Sequence, residues 1–181
     1  KPDGSMEQDA NWWINGFKKC VNAIDPAIKK TVAAVGVSGQ QHGFVPIDGE
    51  GEVLAPVKLW CDTSTTAECA EIMDALGGEE KCIEIAGNPI AVGYTASKIR
   101  WLKKHNPDAY KRMKTILLPH DYLNFYLTGN RTMECGDASG TGLLNIRTRK
   151  WSDHVVASLD NEKDLKTCLP DLIEADDCAG T

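Results

Sequence analysis

The sequence predicts an α/β domain, and three observations carry that reading. Stretches with apolar side chains three and four residues apart alternate with short β-branched runs. Almost every stretch stops at a glycine or just before a proline. Of the 181 residues, 42% are hydrophobic, enough to bury a real core.

From Asp9 to Ile24, apolar side chains at Trp13, Phe17, Cys20, Val21 and Ile24 share one helical face. Asp9 is a good N-cap and Asp25-Pro26 a good stop. Ala33 to Ser38 reads as a buried strand, and Val35-Gly-Val-Ser-Gly-Gln-Gln-His-Gly43 breaks it at glycine. Phe44 to Ile47, the turn Asp48-Gly49-Glu50-Gly51 and Val53 to Trp60 read as a hairpin or meander. Three helices follow. Thr63 to Leu76 ends at Gly77-Gly78, Glu79 to Ala86 ends at Gly87-Asn88, and Thr95 to His105 ends before Asn106-Pro107. In the last of these Thr95 is the expected N-cap, Ile99 and Leu102 face inward, and the lysines are solvated. A strand from Thr115 to Leu118 leads through Pro119 into a helix, Asp121 to Leu127, closed by Thr128-Gly129-Asn130. A polar strand Arg131 to Cys135, a glycine-rich loop Gly136 to Gly142, a strand Leu143 to Ile146 and a helix capped by Ser152 complete the chain.

Charge and composition exclude several roles. The net charge is −6, from 20 basic and 26 acidic side chains, and no basic run exceeds Lys103-Lys104 or Arg147 to Lys150. Nucleic acid as the main partner needs clustered cations, so it is not expected. No apolar stretch approaches the roughly 20 residues of a membrane span, and no signal-like apolar core opens the chain. Seven cysteines without a C-x-x-C pair suggest neither a zinc site nor a disulfide framework, and the expected location is the cytoplasm, with reduced thiols. The chain opens at Lys1 without an initiator methionine and closes at Thr181 just after Asp176-Asp177, as a piece of a longer protein would.

Familiar catalytic motifs fail one by one. Gly36-Val37-Ser38-Gly39 misplaces the last glycine of a nucleophile elbow, so Ser38 is not expected to attack. Gly140-Thr141-Gly142 has asparagine at position 145 and reads as a structural turn, and no Walker-type phosphate loop occurs. His105, His120 and His154 each stand alone, which fits surface or capping residues better than a metal site.

Two readings stay open at the break after the Ala33 to Ser38 run. Ligands in open α/β sheets sit beyond the carboxyl ends of strands. Gln40, Gln41 and His42 there both donate and accept hydrogen bonds, as sugar hydroxyls do. The same residues also suit a polar turn. Asp62, directly after the apolar run to Trp60, is either a hydroxyl acceptor near that pocket or an Asx turn into the next helix.

The segment Gly93-Tyr-Thr-Ala-Ser-Lys-Ile-Arg-Trp-Leu-Lys-Lys-His105 resembles the first signature of the FGGY carbohydrate kinases, and of the xylulokinase branch within them, at every specified position. The similarity continues in Glu7-Gln8-Asp9 before Trp12-Trp13, in Ser38 to Gly43, in Leu59-Trp-Cys-Asp62, and in Leu118-Pro-His-Asp-Tyr122 with Leu127-Thr-Gly129. It ends in Asp137-Ala-Ser-Gly-Thr141 before Trp151-Ser-Asp153.

The resemblance implies a ribonuclease H-like, actin-like domain with a mixed sheet flanked by helices. It also implies ATP-dependent phosphorylation of a pentulose, D-xylulose to D-xylulose 5-phosphate. Gln41 and His42 would contact the ketose, where glycerol kinases carry an Arg-Glu pair. Tyr94 and Asp62 would approach the same cavity. A sugar-contacting tyrosine of glycerol kinases falls at Gly93, whose lack of a side chain leaves room for a longer substrate. ATP and Mg belong to the full-length enzyme. Neither the family's Asp-x-Gly-Thr hairpin nor its Gly-Gly-Asp segment with the base aspartate occurs here, so 1–181 is expected to be the sugar-facing part of an N-terminal domain and inactive alone. A homodimer is compatible with the resemblance. Two other readings are a non-catalytic sugar-binding or interaction module, and a sibling kinase for ribulose, fuculose, glycerol or gluconate.

Overall fold

The computed structural model describes residues 2–181. Helix α1 (Ala10–Ala23) starts where Asp9 accepts a hydrogen bond from the Asn11 amide at 2.8 Å. Its expected apolar face is only partly covered. Ala10 and Ile14 are buried, Phe17 meets Tyr126 edge-on at 6.4 Å, and Cys20 and Ile24 are exposed. A short helix α2 (Pro26–Lys29) follows, with Pro26 at its first position.

The expected strand from Ala33 to Ser38 does not form. A strand exists only through a ladder partner, and among the described residues nothing pairs with this stretch. Its backbone is irregular, and Val35 is 62% exposed.

Strands β1 (Glu7–Gln8), β2 (Val45–Ile47), β3 (Val57–Lys58) and β4 (Thr115–Leu117) pair across long sequence distances. β1 lies antiparallel to β3, with Glu7 opposite Lys58, and β2 lies antiparallel to β4, with Val45 opposite Leu117. The hairpin expected between Phe44 and Trp60 survives only near its turn. There Asp48 accepts from the Glu50 and Glu52 amides, and Ile47 bridges Val53 before the strands diverge to other partners. The outward turn frees β2 to bury all its side chains against β4.

Helices α3 (Thr66–Ala75), α4 (Glu79–Ala86) and α5 (Thr95–His105) stop close to the predicted positions. Gly87 closes α4 in the left-handed conformation that glycine adopts without strain. Helix α6 (Pro107–Arg112) was not anticipated. Its signals are present, since Asn106 caps the Ala109 amide at 3.2 Å and Pro107 opens it. Helix α7 (Pro119–Thr128) ends at Gly129, also left-handed.

Strand β5 (Thr132–Glu134) runs parallel to β8 (Asp171–Ile173), and β6 (Leu144–Asn145) runs antiparallel to β7 (Lys150–Trp151). Between them, where a loop was expected, α8 (Cys135–Ser139) forms because Glu134 folds over to accept from the Gly136 and Asp137 amides. Helix α9 (Asp153–Leu159) is capped by Ser152 as predicted. Among the described residues the strands form four two-stranded ladders, three antiparallel and one parallel, rather than one continuous sheet.

The main core lies among α3 to α6 and α9, around Ile72, Ile99, Leu102 and Met113. A second core holds Ala10, Val45, Ile47, Val57 and Leu117, and a third holds Leu118, Met133, Ala138 and Leu144. Among the described residues no helix is long and apolar enough to cross a membrane.

Candidate functional site

The segment Gly39 to Gly43 leaves the surface and dives into β2, and its residues divide between a groove and the interior. Gly39, Gln40 and Gln41 line an open groove of about 250 Å³ together with Trp60 and Asp137. That is below the ~300–1,000 Å³ of pockets for drug-sized ligands, a volume suited to a small polar molecule. Gln40 is oriented by its amide, which donates to Gln8 Oε1 at 3.0 Å, and the same oxygen accepts from the Trp13 indole at 2.8 Å. Gln41 is exposed.

His42 takes a left-handed backbone, φ 59°, a conformation in which histidine is enriched but still uncommon. Its half-buried ring lies tilted by 33° against Tyr94 at 4.7 Å and packs onto Gly140, where an added Cβ would collide with Cε1 and Nδ1. Burial, and then the charge of Lys98, push the His42 pKa below the ordinary histidine value. Its Nδ1 is buried and finds no protein partner among the described residues. That nitrogen lies against the Gly140 backbone and is closed to the groove.

Lys98 was expected in solvent with the other lysines of its helix, and the structure overturns this. It is 0% exposed, and its ammonium donates to the carbonyls of His42 and Gly93, both at 2.6 Å. The physical reason is that these two carbonyls point into the protein from irregular backbone, where no strand or helix meets them. Thr95 adds a weaker hydroxyl bond to the His42 carbonyl at 3.3 Å. Burial drags the Lys98 pKa down to about 7, against a smaller pull upward from Asp62. One side chain thus ties together the loops that carry His42 and Tyr94.

Asp62 lies behind the groove, not in it. It is 0% exposed, and both oxygens are engaged, by the Met6 amide at 2.9 Å, Lys58 at 3.2 Å, the Ser64 hydroxyl at 2.6 Å and the Ser64 amide at 3.0 Å. Burial raises its pKa, but the Ser64 hydroxyl, the Met6 amide and Lys58 outweigh that and hold it below the usual carboxylate range. Lys58 also meets Glu7 at 3.3 Å and sits 4.0 Å above the Trp101 ring, so this network binds β1 and β3 to α5. Of the four residues expected to line one cavity, then, Gln41 borders the groove, His42 and Tyr94 pack against each other behind it, and Asp62 supports the wall from within.

Sequence reading passed over His120 as a lone histidine. In the structure its Nε2 stands 3.1 Å from Asp121 Oδ1 and 3.1 Å from Asp137 Oδ2, in ion-pair range though off the N–H axis of both. Burial lowers its pKa, but Asp121 and Asp137 raise it more. Both carboxylates sit in the two later stretches of family resemblance, Leu118 to Tyr122 and Asp137 to Thr141, and that shared membership was the available signal.

A larger depression of about 540 Å³ opens beside α5 and α9. Its cations are already neutralised, Lys103 by Asp160 at 2.8 Å, Arg100 by Glu71 at 2.9 Å and Lys104 by Glu68 at 2.9 Å. No net charge is left to attract an anion. Among the described residues no group of three or more ligand side chains is arranged for a metal ion. The small groove holds no cation and carries one carboxylate, so its chemistry favours a neutral polyol and disfavours a triphosphate.

The pattern of the FGGY family of carbohydrate kinases, N-terminal domain, matches residues 1–181. The chain is 37% identical over 185 residues to a xylulose kinase of Haemophilus influenzae, covering 98% of this chain and 38% of that protein. It is 35% identical over 180 residues to a xylulose kinase of Lactococcus lactis, covering 98% and 35%. A crystal structure described as a xyloylose kinase from Brucella ovis superposes with a TM-score of 0.86 at 33% identity, covering 98% of this chain and 36% of that one. The chain therefore spans a little over a third of the length of these relatives.

Proposed function

We infer, because this chain belongs to the FGGY family of carbohydrate kinases, that the protein containing it phosphorylates a pentulose, D-xylulose to D-xylulose 5-phosphate, using MgATP. The fold is the ribonuclease H-like, actin-like fold of that family. The observation that carries the reading is the groove bordered by Gln40, Gln41 and Asp137, with His42 packed against Tyr94 behind it. Every polar group there is an uncharged donor and acceptor or a single acceptor, the set that complements a ketose rather than a nucleotide.

The work of this chain is to hold and orient the sugar. The Gln41 amide meets ketose hydroxyls at the groove edge, and the edge of the His42 ring turned away from Gly140 meets another. Lys98 and Thr95 fix the backbone from which that ring projects. Asp62 and Lys58 keep the Trp60 wall in place from below. ATP, when bound in the complete protein, supplies the phosphoryl group, and its magnesium neutralises developing charge. The groove described above lacks the cations for that role, so the nucleotide belongs to other parts of the protein. Closure around both substrates would exclude water and favour transfer to sugar over hydrolysis.

The test is turnover by the full-length protein with MgATP and a panel of D-xylulose, ribulose, fuculose, glycerol and gluconate, read as ADP release. D-xylulose should give the highest kcat/KM. A clear preference for glycerol would remove the assignment of Gln41 and His42 to a ketose. Binding of sugar with no ADP release at all would leave a sugar-binding module in place of a kinase.

A further inference from the structure

We propose that the carboxylate of Asp137 is a further sugar-contacting group, accepting a hydroxyl across the groove from the Gln40 and Gln41 amides, and that His120 is the positioning residue that aims it. The proposal rests on the sugar-kinase reading above and adds to it a contact on a different element, α8, from the segment carrying Gln41 and His42.

Three features of the geometry carry it. Asp137 borders the same groove as Gln40 and Gln41, and its side chain is 41% exposed toward it. Its Oδ2 is held 3.1 Å from His120 Nε2, while Oδ1 has no hydrogen-bond partner among the described residues. A carboxylate is acceptor-only, so the free oxygen calls for a donor, and a sugar hydroxyl gives a short, charge-assisted bond there.

The second feature is how firmly His120 is held. Its ring is almost wholly buried, and Asp121 Oδ1 stands 3.1 Å from the same nitrogen. Asp121 in turn is fixed, because its other oxygen accepts from the Leu118 amide at 2.9 Å and caps α7. The backbone of Gly39 closes over His120 so tightly that a Cβ there would come within 2.9 Å of the His120 Cβ. The groove segment thus packs directly on the backbone and Cβ of His120.

The third feature is charge. His120 meets two carboxylates, of which Asp121 is enclosed and pushed toward its neutral form by burial, while Asp137 is partly exposed and borders the groove. A carboxylate at that place repels phosphate and welcomes an uncharged polyol. It selects the unphosphorylated sugar as the group that enters.

The test uses the full-length protein and the isosteric variant Asp137→Asn, which keeps shape and loses the charged acceptor. The KM for the ketose should rise about tenfold or more, as the loss of a hydrogen bond to a charged group does, while the KM for MgATP stays within about twofold. Calorimetric titration with the ketose alone should show the same weakening, and it reads the contact whether or not the protein turns over. His120→Gln should give a smaller rise, about threefold. It should also remove from the pH profile of ketose kcat/KM the inflection that comes from this imidazole, which is faced by Asp121 on its own helix and by Asp137 and Glu134 on the following strand and helix. A merely structural histidine would not contribute that inflection.

An unchanged ketose affinity in Asp137→Asn, or an equal rise for sugar and nucleotide, overturns the proposal. Should His120→Gln fail to fold, Asp137→Asn decides alone, because its side chain packs at the surface. A wild-type protein that binds the ketose but releases no ADP would defeat the kinase reading while leaving the Asp137 contact to be judged by calorimetry.

Discussion

Replacing Lys98 by methionine tests how the interior holds the sugar-facing loops. The ammonium is 0% exposed, and burial lowers its pKa from 10.5 to about 7. A base whose pKa is depressed on folding binds fewer protons in the folded state than in the unfolded state. Unfolded chains therefore take up the proton between about pH 7 and 10.5, and stability rises with pH across that window. One pH unit corresponds to ~1.4 kcal/mol, so the wild type should gain about 2 kcal/mol from this residue between about pH 7 and 9. Methionine fills a similar volume and has nothing to titrate. It leaves the Gly93 carbonyl unpaired, a pH-independent loss of about 1–3 kcal/mol, whereas the His42 carbonyl keeps its bond from Thr95. Urea unfolding of wild type and Lys98→Met side by side, at about pH 7 and about pH 9, reads the difference, and groups titrating alike in both proteins cancel. The wild type should gain on the variant as pH rises. A difference that is flat with pH would refute the desolvated ammonium and with it the tie between the two loops.

Other outcomes follow from the same contacts. Gly140→Ala puts a methyl group against the His42 ring and should raise the ketose KM of the full-length protein as His42→Ala does, with the MgATP KM little changed in steady-state assays. Asp62→Asn removes the charge that balances Lys58 and should cost about 3 kcal/mol in urea unfolding, since a buried charge is left with a poorer partner. The Asp62 pKa is depressed on folding, so its contribution is present above the unfolded carboxylate pKa and is lost as pH falls through the folded one. The wild type should therefore lose its advantage over Asp62→Asn in acid.

Helix boundaries were largely legible in the sequence because their causes are local. The Asp9 and Ser152 caps and the glycine stops at Gly87 and Gly129 each act within a few residues of the helix end. Helix α8 was missed because its cap, Glu134, lies in what reads as a strand. The family was legible for a related reason, since the signature Gly93 to His105 is one contiguous stretch. Gln41 borders a small open groove.

Sequence by itself determined the ends of most helices and the family of the fold, because capping, periodicity and turn chemistry are written in neighbouring residues. Only the tertiary structure decided that Lys98 lies inside beneath a carbonyl 56 positions away, that Ala33 to Ser38 lacks a ladder, and that Asp62 is enclosed. It also brought His120 to Asp137 at the rim of the groove. Burial and pairing are set by which distant segments come to lie side by side, and a charge or a β-branched run carries no local record of that neighbour.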